Sequence, residues 1–326
     1  MKKEEHMPSR LMHLGFIMLL TLGAVLARPA VGLAQTNAFT TLDATSLGAT
    51  STTAIGINPQ GDIVGHYTDG SSCLHGFLLS AGKYTTLDFP GANLTDARGI
   101  NPNGDVVGFY SLLPVTSVCG PAQCPQCHGF LLSGGKYTTL DFPEVPSSTQ
   151  ALGINPQGDI VGRYTDTTSL HEQHGFLLRS GTYTTLDFPV PGATLTNALG
   201  INPQGEIVGF YSVKPVKSSP FARCVECLPF LRLSDGTYTT PDVSVAGTSP
   251  RILARGINPR GDIVGAYDDS QGNGVPFLLE RSGTSSNLDV PGTDRDAFGI
   301  NARGDIVGDY PDSLGIAHGY LLSGAP

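Results

Sequence analysis

Four histidines and four aspartates recur at matched places in this 326-residue chain. His75, His128 and His174 each stand thirteen residues before an aspartate: Asp88, Asp141 and Asp187. His318 has no such partner ahead of it, but Asp43 closes the same local phrase near the start of the chain. A histidine beside a carboxylate can serve as a general base or, with more ligands, as part of a metal site. Several identical copies point elsewhere, because an active site needs to be assembled only once. The expectation is a structural His–Asp pair, buried and hydrogen-bonded, repeated through the fold.

Six cysteines offer a second chemistry: Cys73, Cys119, Cys124, Cys127, Cys224 and Cys227. Cys124-Pro125-Gln126-Cys127-His128 spells C-x-x-C-H, the attachment string of c-type haem. With Cys224 and Cys227, Cys124 and Cys127 also make two C-x-x-C knuckles of the sort that hold zinc. Against haem, His128 is one of the recurring histidines, and Cys227 is followed by Leu228 where a histidine would stand. In an exported chain these cysteines favour disulfides. A local Cys224–Cys227 bridge is the expected pairing, with Cys73 placed to meet Cys119. No cofactor is expected; zinc and haem are the alternatives. His171-Glu172-Gln173-His174 is a loop and lacks the H-E-x-x-H spacing of zinc proteases. Asp268-Asp269 and Asp294 with Asp296 could take calcium, but acidic loops are usually just solvated. There is no nucleophile elbow, phosphate loop or dinucleotide fingerprint where one would need to be.

All these residues hang on one ten-residue phrase, Gly-Ile-Asn-Pro-Gln-Gly-Asp-Ile-Val-Gly at Gly56 to Gly65. Near-copies start at Gly99, Gly153, Gly200, Gly256 and Gly299. Asn at the first turn position bonds the backbone ahead, Pro presets φ and the later Gly supplies φ > 0, so the phrase is a hairpin turn between two strands. His-Gly-Phe-Leu-Leu and Tyr-Thr-Thr-Leu-Asp-Phe-Pro follow as two further strands. Taking the four strands in order as a, b, c and d, the first copy reads Ala54–Asn58, Asp62–Tyr67, His75–Ser80 and Tyr84–Phe89. Successive phrase glycines lie 43, 54, 47, 56 and 43 residues apart, the period of a propeller blade. One surplus d-like strand, residues 39–43, precedes the first copy, and the last copy stops after strand c. The expected fold is therefore all-β: a six-bladed β-propeller of four-stranded blades, closed by the N-terminal strand completing the last blade. Blades begin near residues 54, 97, 151, 198, 254 and 297.

Residues 1–34 have the layout of a secretory signal peptide: a basic start at Lys2, Lys3 and Arg10, an apolar run from Leu14 to Ala27, and small residues before a cut at Gln35. The run is short for a spanning helix, so no membrane insertion is expected after its removal. Of the 19 basic and 28 acidic residues, that segment holds four and two, leaving 15 and 26 and a net charge of −11. Such a balance argues against nucleic acid or anionic membrane as partner. A secreted or periplasmic location is expected, with residues 35–326 as a single domain.

The pattern A-x-G-I-N-x-x-G-x-I-V-G followed by H-G-F resembles the HAF-type extracellular repeat family of bacteria, over residues 39 to 323. The departures are His-Gly-Phe in place of His-Ala-Phe, and Leu228-Pro229-Phe230 and Val275-Pro276-Phe277 where the His is lost. The resemblance implies an exported repeat protein and brings no established activity. Regular turns fall on one face of the expected ring and long, irregular loops on the other, and binding is usually carried by such loops. Near the channel mouth, Arg98 and Arg255 precede the strand-a glycine, while His66, Arg163 and Asp309 follow the second glycine; these are the candidate ligand-binding residues. The expected function is a non-catalytic exported protein that binds carbohydrate, peptide or protein, or has a structural role, through its variable face. The alternative is a lyase or hydrolase at the channel mouth, which requires non-repeating Asp, Glu, His, Arg or Tyr to converge there.

Overall fold

The computed structural model describes residues 38–113, 126–143, 148–166, 173–214, 224, 226–247 and 249–324. The signal-like stretch, His171, Glu172, Cys119 and Cys124 lie outside the described residues.

Each copy of the phrase is the turn of a β-hairpin. After β1 (Ala38–Leu42), the first unit holds β2 (Ser51–Ile57), β3 (Ile63–Thr68), β4 (Leu74–Ser80) and β5 (Lys83–Leu87). The next holds β6 (Leu94–Ile100), β7 (Val106–Ser111), β8 (His128–Ser133) and β9 (Lys136–Leu140). Then come β10 (Thr149–Ile154), β11 (Ile160–Thr165), β12 (Gln173–Arg179) and β13 (Thr182–Leu186), followed by β14 (Leu195–Ile201), β15 (Ile207–Ser212), β16 (Leu228–Arg232) and β17 (Tyr238–Thr239). Last are β18 (Ile252–Ile257), β19 (Ile263–Asp268), β20 (Gly274–Leu279) and β21 (Ser285–Asn287), then β22 (Asp296–Ile300), β23 (Ile306–Pro311) and β24 (Ala317–Ser323). Within each unit the strands pair antiparallel in sequence order. One parallel bridge, Gln173↔Leu195, joins the β10–β13 group to the β14–β17 group. β1 pairs antiparallel with β24, from Ala38↔Ser323 to Leu42↔Gly319. The architecture is that of an all-β propeller.

The turn chemistry is the same in each copy. At Asn58-Pro59-Gln60-Gly61-Asp62, the Gly61 N–H donates to the Asn58 carbonyl at 3.1 Å, the Asn58 side-chain oxygen accepts from the Asp62 N–H at 2.8 Å, and the Asn58 amide donates to the Asp62 carboxylate at 2.9 Å. Gly61 takes φ +91°, which an L side chain rarely adopts. Asn amides also reach the carbonyl of a neighbouring turn: Asn101 to Asn155, Asn155 to Asn202, Asn202 to Asn258, and Asn301 to Asn58, at 3.2–3.5 Å. These residues are buried, so the side chains meet the hydrogen-bonding needs of backbone that water cannot reach.

The core is handed from unit to unit. Phe77, Phe130, Phe176, Phe230, Phe277 and Tyr320, equivalent residues of the third strand, are all fully buried. A second-strand valine crosses each boundary: Val64 packs with Ala97 and Phe130, Val107 with Ala151 and Phe176, Val161 with Ala198 and Phe230. Val208 then packs with Ala254 and Phe277, Val264 with Ala297 and Tyr320, and Val307 with Ala54 and Phe77. The outer strands, Lys-Tyr-Thr-Thr-Leu in two units, alternate toward solvent.

Candidate functional site

Three positions per unit carry non-repeating chemistry on this repeating scaffold. The first is three residues before the first-strand glycine: Thr53, Asp96, Gln150, Asn197, Leu253 and Asp296. The second immediately precedes that glycine: Ile55, Arg98, Leu152, Leu199, Arg255 and Phe298. The third follows the second-strand glycine: His66, Phe109, Arg163, Phe210, Ala266 and Asp309. The first and third are directly opposed across the hairpin, as Gln150↔Arg163 and Asp296↔Asp309 show, so they share one face. A β-bulge shifts the register at the second position in every unit. Bulges re-aim a side chain, and here the bulged residues line a cavity that opens to solvent. The cavity is walled by first strands and runs from Arg98 and Arg255 to the prolines of the turns.

The charged residues form connected groups. His66 Nδ1 lies 3.1 Å from one Asp96 oxygen, and Arg98 Nη2 donates to the other at 2.6 Å. Arg255 forks onto Asp296 through Nε and Nη2 at 3.0 and 2.7 Å, its guanidinium over the Phe298 ring. Thr53 Oγ1 donates to Asp309 at 3.2 Å. Arg163 donates from Nε to Gln150 at 2.9 Å and from Nη1 to Gln173 at 3.4 Å. Among the described residues no carboxylate pairs with it.

The surroundings tune these groups. Burial alone would raise the pKa of Asp96, but the charges of Arg98 and His66 prevail and hold it below the usual carboxylate range. Asp309 is pushed up to about 7, by burial first and then by Asp296. Arg163 is drawn down to about 10 by burial, with repulsion from Arg98 second. Among the described residues, two buried side-chain atoms of these positions lack a hydrogen-bond partner: Arg98 Nε and Asn197 Oδ1.

Of the residues singled out in the sequence, Arg98 and His66 meet on Asp96, and Arg255 meets Asp296, the cross-strand neighbour of Asp309. Of the first position, Asp296 stood out in the sequence only as part of an acidic loop, and Asp96, Gln150, Thr53 and Asn197 did not stand out at all. The signal of that position was a polar residue immediately before the recurring alanine in most copies, inside a strand flanked by buried residues.

The recurring His–Asp residues lie away from this mouth, on the third and outer strands. His75, His128, His174 and His318 place Nδ1 2.8–3.0 Å from Asp88, Asp141, Asp187 and Asp43. Each ring packs on a second-strand tyrosine, Tyr67, Tyr110, Tyr164 or Tyr310, whose hydroxyl meets an outer-strand threonine. The pairs are half-exposed rather than buried, because the outer strand that supplies the aspartates or precedes them faces water. Burial of His318 lowers its pKa, but Asp43 and then Asp312 more than offset this, and the net shift is upward.

Cys224 and Cys227 form a disulfide with Cα atoms 5.9 Å apart. A disulfide has no thiolate to offer zinc. Cys127 is disulfide-bonded too, and Cys73 donates its N–H to Asp69 at 2.8 Å. Among the described residues no group of three or more His, Cys, Asp or Glu is arranged to hold a metal. The acidic pairs have internal roles: Asp268 binds Arg251, Asp269 heads a turn, and Asp294 accepts from the Gly274 N–H. None of the described helices is long and apolar enough to cross a membrane.

No family model matches the chain, and no curated protein matches it. Among solved structures it is similar to AofleA from Arthrobotrys oligospora, with 11% identity over 88% of this chain and 86% of that one and a TM-score of 0.50. The fucose-recognising fungal lectin of Aleuria aurantia, a six-bladed β-propeller, aligns at 13% identity over 73% of this chain and 78% of its own, with a TM-score of 0.43. A putative gluconolactonase aligns at 15% identity over 68% and 74%, with a TM-score of 0.37. Similarity at this level speaks to fold alone.

Proposed function

We propose that this chain is an exported binding protein whose repeats close into one six-bladed ring, with its ligand held in the charged mouth of the central channel. For the ring, the support is the chain of valine contacts, which passes from Val64 through each unit and returns at Val307 to the first. The pairing of β1 with β24 supports closure by the N-terminal strand. Export rests on the layout of residues 1–34 and the resemblance to extracellular repeats. N-terminal sequencing of the exported protein tests it, with Gln35 expected as the first residue.

One observation carries the binding role. Three positions per unit vary in residue type on first and second strands that otherwise repeat closely, the bulged one of each unit lining a single channel and the other two standing opposed beside it. Structural need would repeat them; a ligand met once would not. A titration series over neutral and charged saccharides and peptides tests this, comparing the natural protein with Arg255→Ala and His66→Ala. Binding untouched by both substitutions counts against the mouth as the site.

A second reading has its own observation. Asp309 and Asp296 are cross-strand neighbours, one with its pKa at about 7 and the other forked by Arg255. Paired carboxyls in unlike environments suit a proton donor and an ionised partner, as a hydrolase or lyase would use. Slow turnover of a bound polysaccharide, abolished in Asp309→Asn with binding retained, would favour this enzyme.

A further inference from the structure

The mouth contains an interaction left open on both sides. Where both residues are polar, a third-position residue can meet the first-position residue of the next unit: His66 meets Asp96 at 3.1 Å and Asp309 meets Thr53 at 3.2 Å. Arg163 and Asn197 occupy the corresponding pair, yet no hydrogen bond joins them. Arg163 turns back to the neutral oxygens of Gln150 and Gln173. Asn197, 1% exposed, has a side-chain oxygen with no partner. Asp96 attracts the Arg163 charge without touching it; a buried cation with no carboxylate in hydrogen-bond contact and a buried acceptor without a donor both cost free energy. That cost makes sense where a ligand completes both.

From this open pair, and resting on the reading of the mouth as a binding site, we infer that the ligand is a sugar acid: its carboxylate lies on the Arg163 guanidinium and a ring hydroxyl donates to Asn197. A guanidinium presents its donors in a planar fork that matches a carboxylate. The neutral amides of Gln150 and Gln173 orient that fork without neutralising it, whereas Arg98 and Arg255 are already committed to Asp96 and Asp296. Phe210, directly across the hairpin from Asn197 and only partly buried, offers an apolar ring for the sugar's C–H face. A neutral sugar would leave the Arg163 fork without a carboxylate, and a simple inorganic anion would leave Asn197 unanswered.

Calorimetric titration of the mature protein with glucuronate, galacturonate and mannuronate, each beside its neutral parent sugar, tests the assignment. At least one uronate should bind about tenfold or more tightly than its neutral parent. Arg163→Leu should erase that preference. Arg163→Lys keeps the charge and bulk but not the fork, and should weaken uronate binding by roughly tenfold if Leu proves too disruptive to fold. Equal binding of uronates and neutral sugars, lost in Arg255→Ala, would overturn the carboxylate assignment and leave the mouth as the site. Uronate binding indifferent to all three substitutions would overturn the mouth as well. No uronate binding to the natural protein would overturn the inference outright.

Discussion

Asp309 shows how far position can alter a residue's chemistry. Burial and the neighbouring Asp296, with Asp294 adding to it, push its pKa up to about 7, against the opposing pull of Thr53 and Arg255. The unfolded chain ionises this carboxyl near the ordinary aspartate value of 3.8, while the folded chain holds the proton until about 7. The folded state therefore binds more protons across that interval, and stability falls as pH rises through it. Asp309→Asn should be more stable than the natural protein at pH 8, by roughly 1–2 kcal/mol after allowing for partial solvent contact, and level with it below about pH 4. Urea melts at the two pH values check this; an equal difference at both would rule it out. His318 has a folded pKa raised above 6.5. Its contribution is full below the unfolded value and fades as pH rises through the folded one. His318→Ala should thus cost up to about 1 kcal/mol at pH 5.5 and less at pH 8.5. Loss that grows with pH would refute the pairing with Asp43 as its cause.

At the scale of elements, the hairpin of each repeat has two jobs. Its turn end is built for sameness, with Asn bonding its own turn and a neighbour's. Asn155→Ala removes side-chain bonds to Gln157, Asp159 and Asn202 from a buried site, and should cost about 2–4 kcal/mol in denaturant melts. A cost within 0.5 kcal/mol, the usual range for surface positions, would mean the turn holds without it. The other end is built for difference. There the bulge at the second position turns one side chain into the channel while the opposed pair faces its neighbours. The second-strand glycine makes this possible: a Cβ on Gly108 would stand 2.0 Å from the Asp96 carbonyl oxygen and 2.8 Å from the Phe130 ring. Gly108→Ala should lower the melting temperature sharply and disturb His66 and Arg98 through their shared partner, Asp96. A near-native melt would show that the hairpin can yield there.

At the scale of the whole molecule, the first described strand pairs with the last. β1 covers the open edge of β24, and Leu42 and Ala44 sit in the first unit's core. Removing residues 38–44 should expose that edge and promote aggregation. A permutant carrying those residues after Gly324 should restore a native melt, because pairing depends on where the strand lies and not on which end of the chain supplies it. A truncated protein that melts and stays monomeric like the natural one would count against closure of the ring.

Strand order, turn type and three of the four His–Asp pairs could be read from the sequence because they rest on local rules: strand alternation, the Asn-Pro-x-Gly turn, and a short turn that sets two strands in register; the fourth, His318 with Asp43, spans 275 residues and followed from the surplus strand at the start of the chain. The Cys224–Cys227 bridge was legible for the same reason, since only two residues separate its ends. The candidate site was only half legible. Arg98, Arg255, His66, Arg163 and Asp309 stood out by departing from the repeat, but their partners Asp96 and Gln150 looked like ordinary strand residues and Asp296 like part of a solvated acidic loop. His66 and Asp96 lie 30 residues apart, and Arg255 and Asp296 lie 41 apart. Only packing one blade against the next brings them within hydrogen-bond reach. Local chemistry determined the blades; the pKa of Asp309, the open charge of Arg163 and the unmet oxygen of Asn197 were decided between blades, where burial and neighbouring charge depend on the complete tertiary structure.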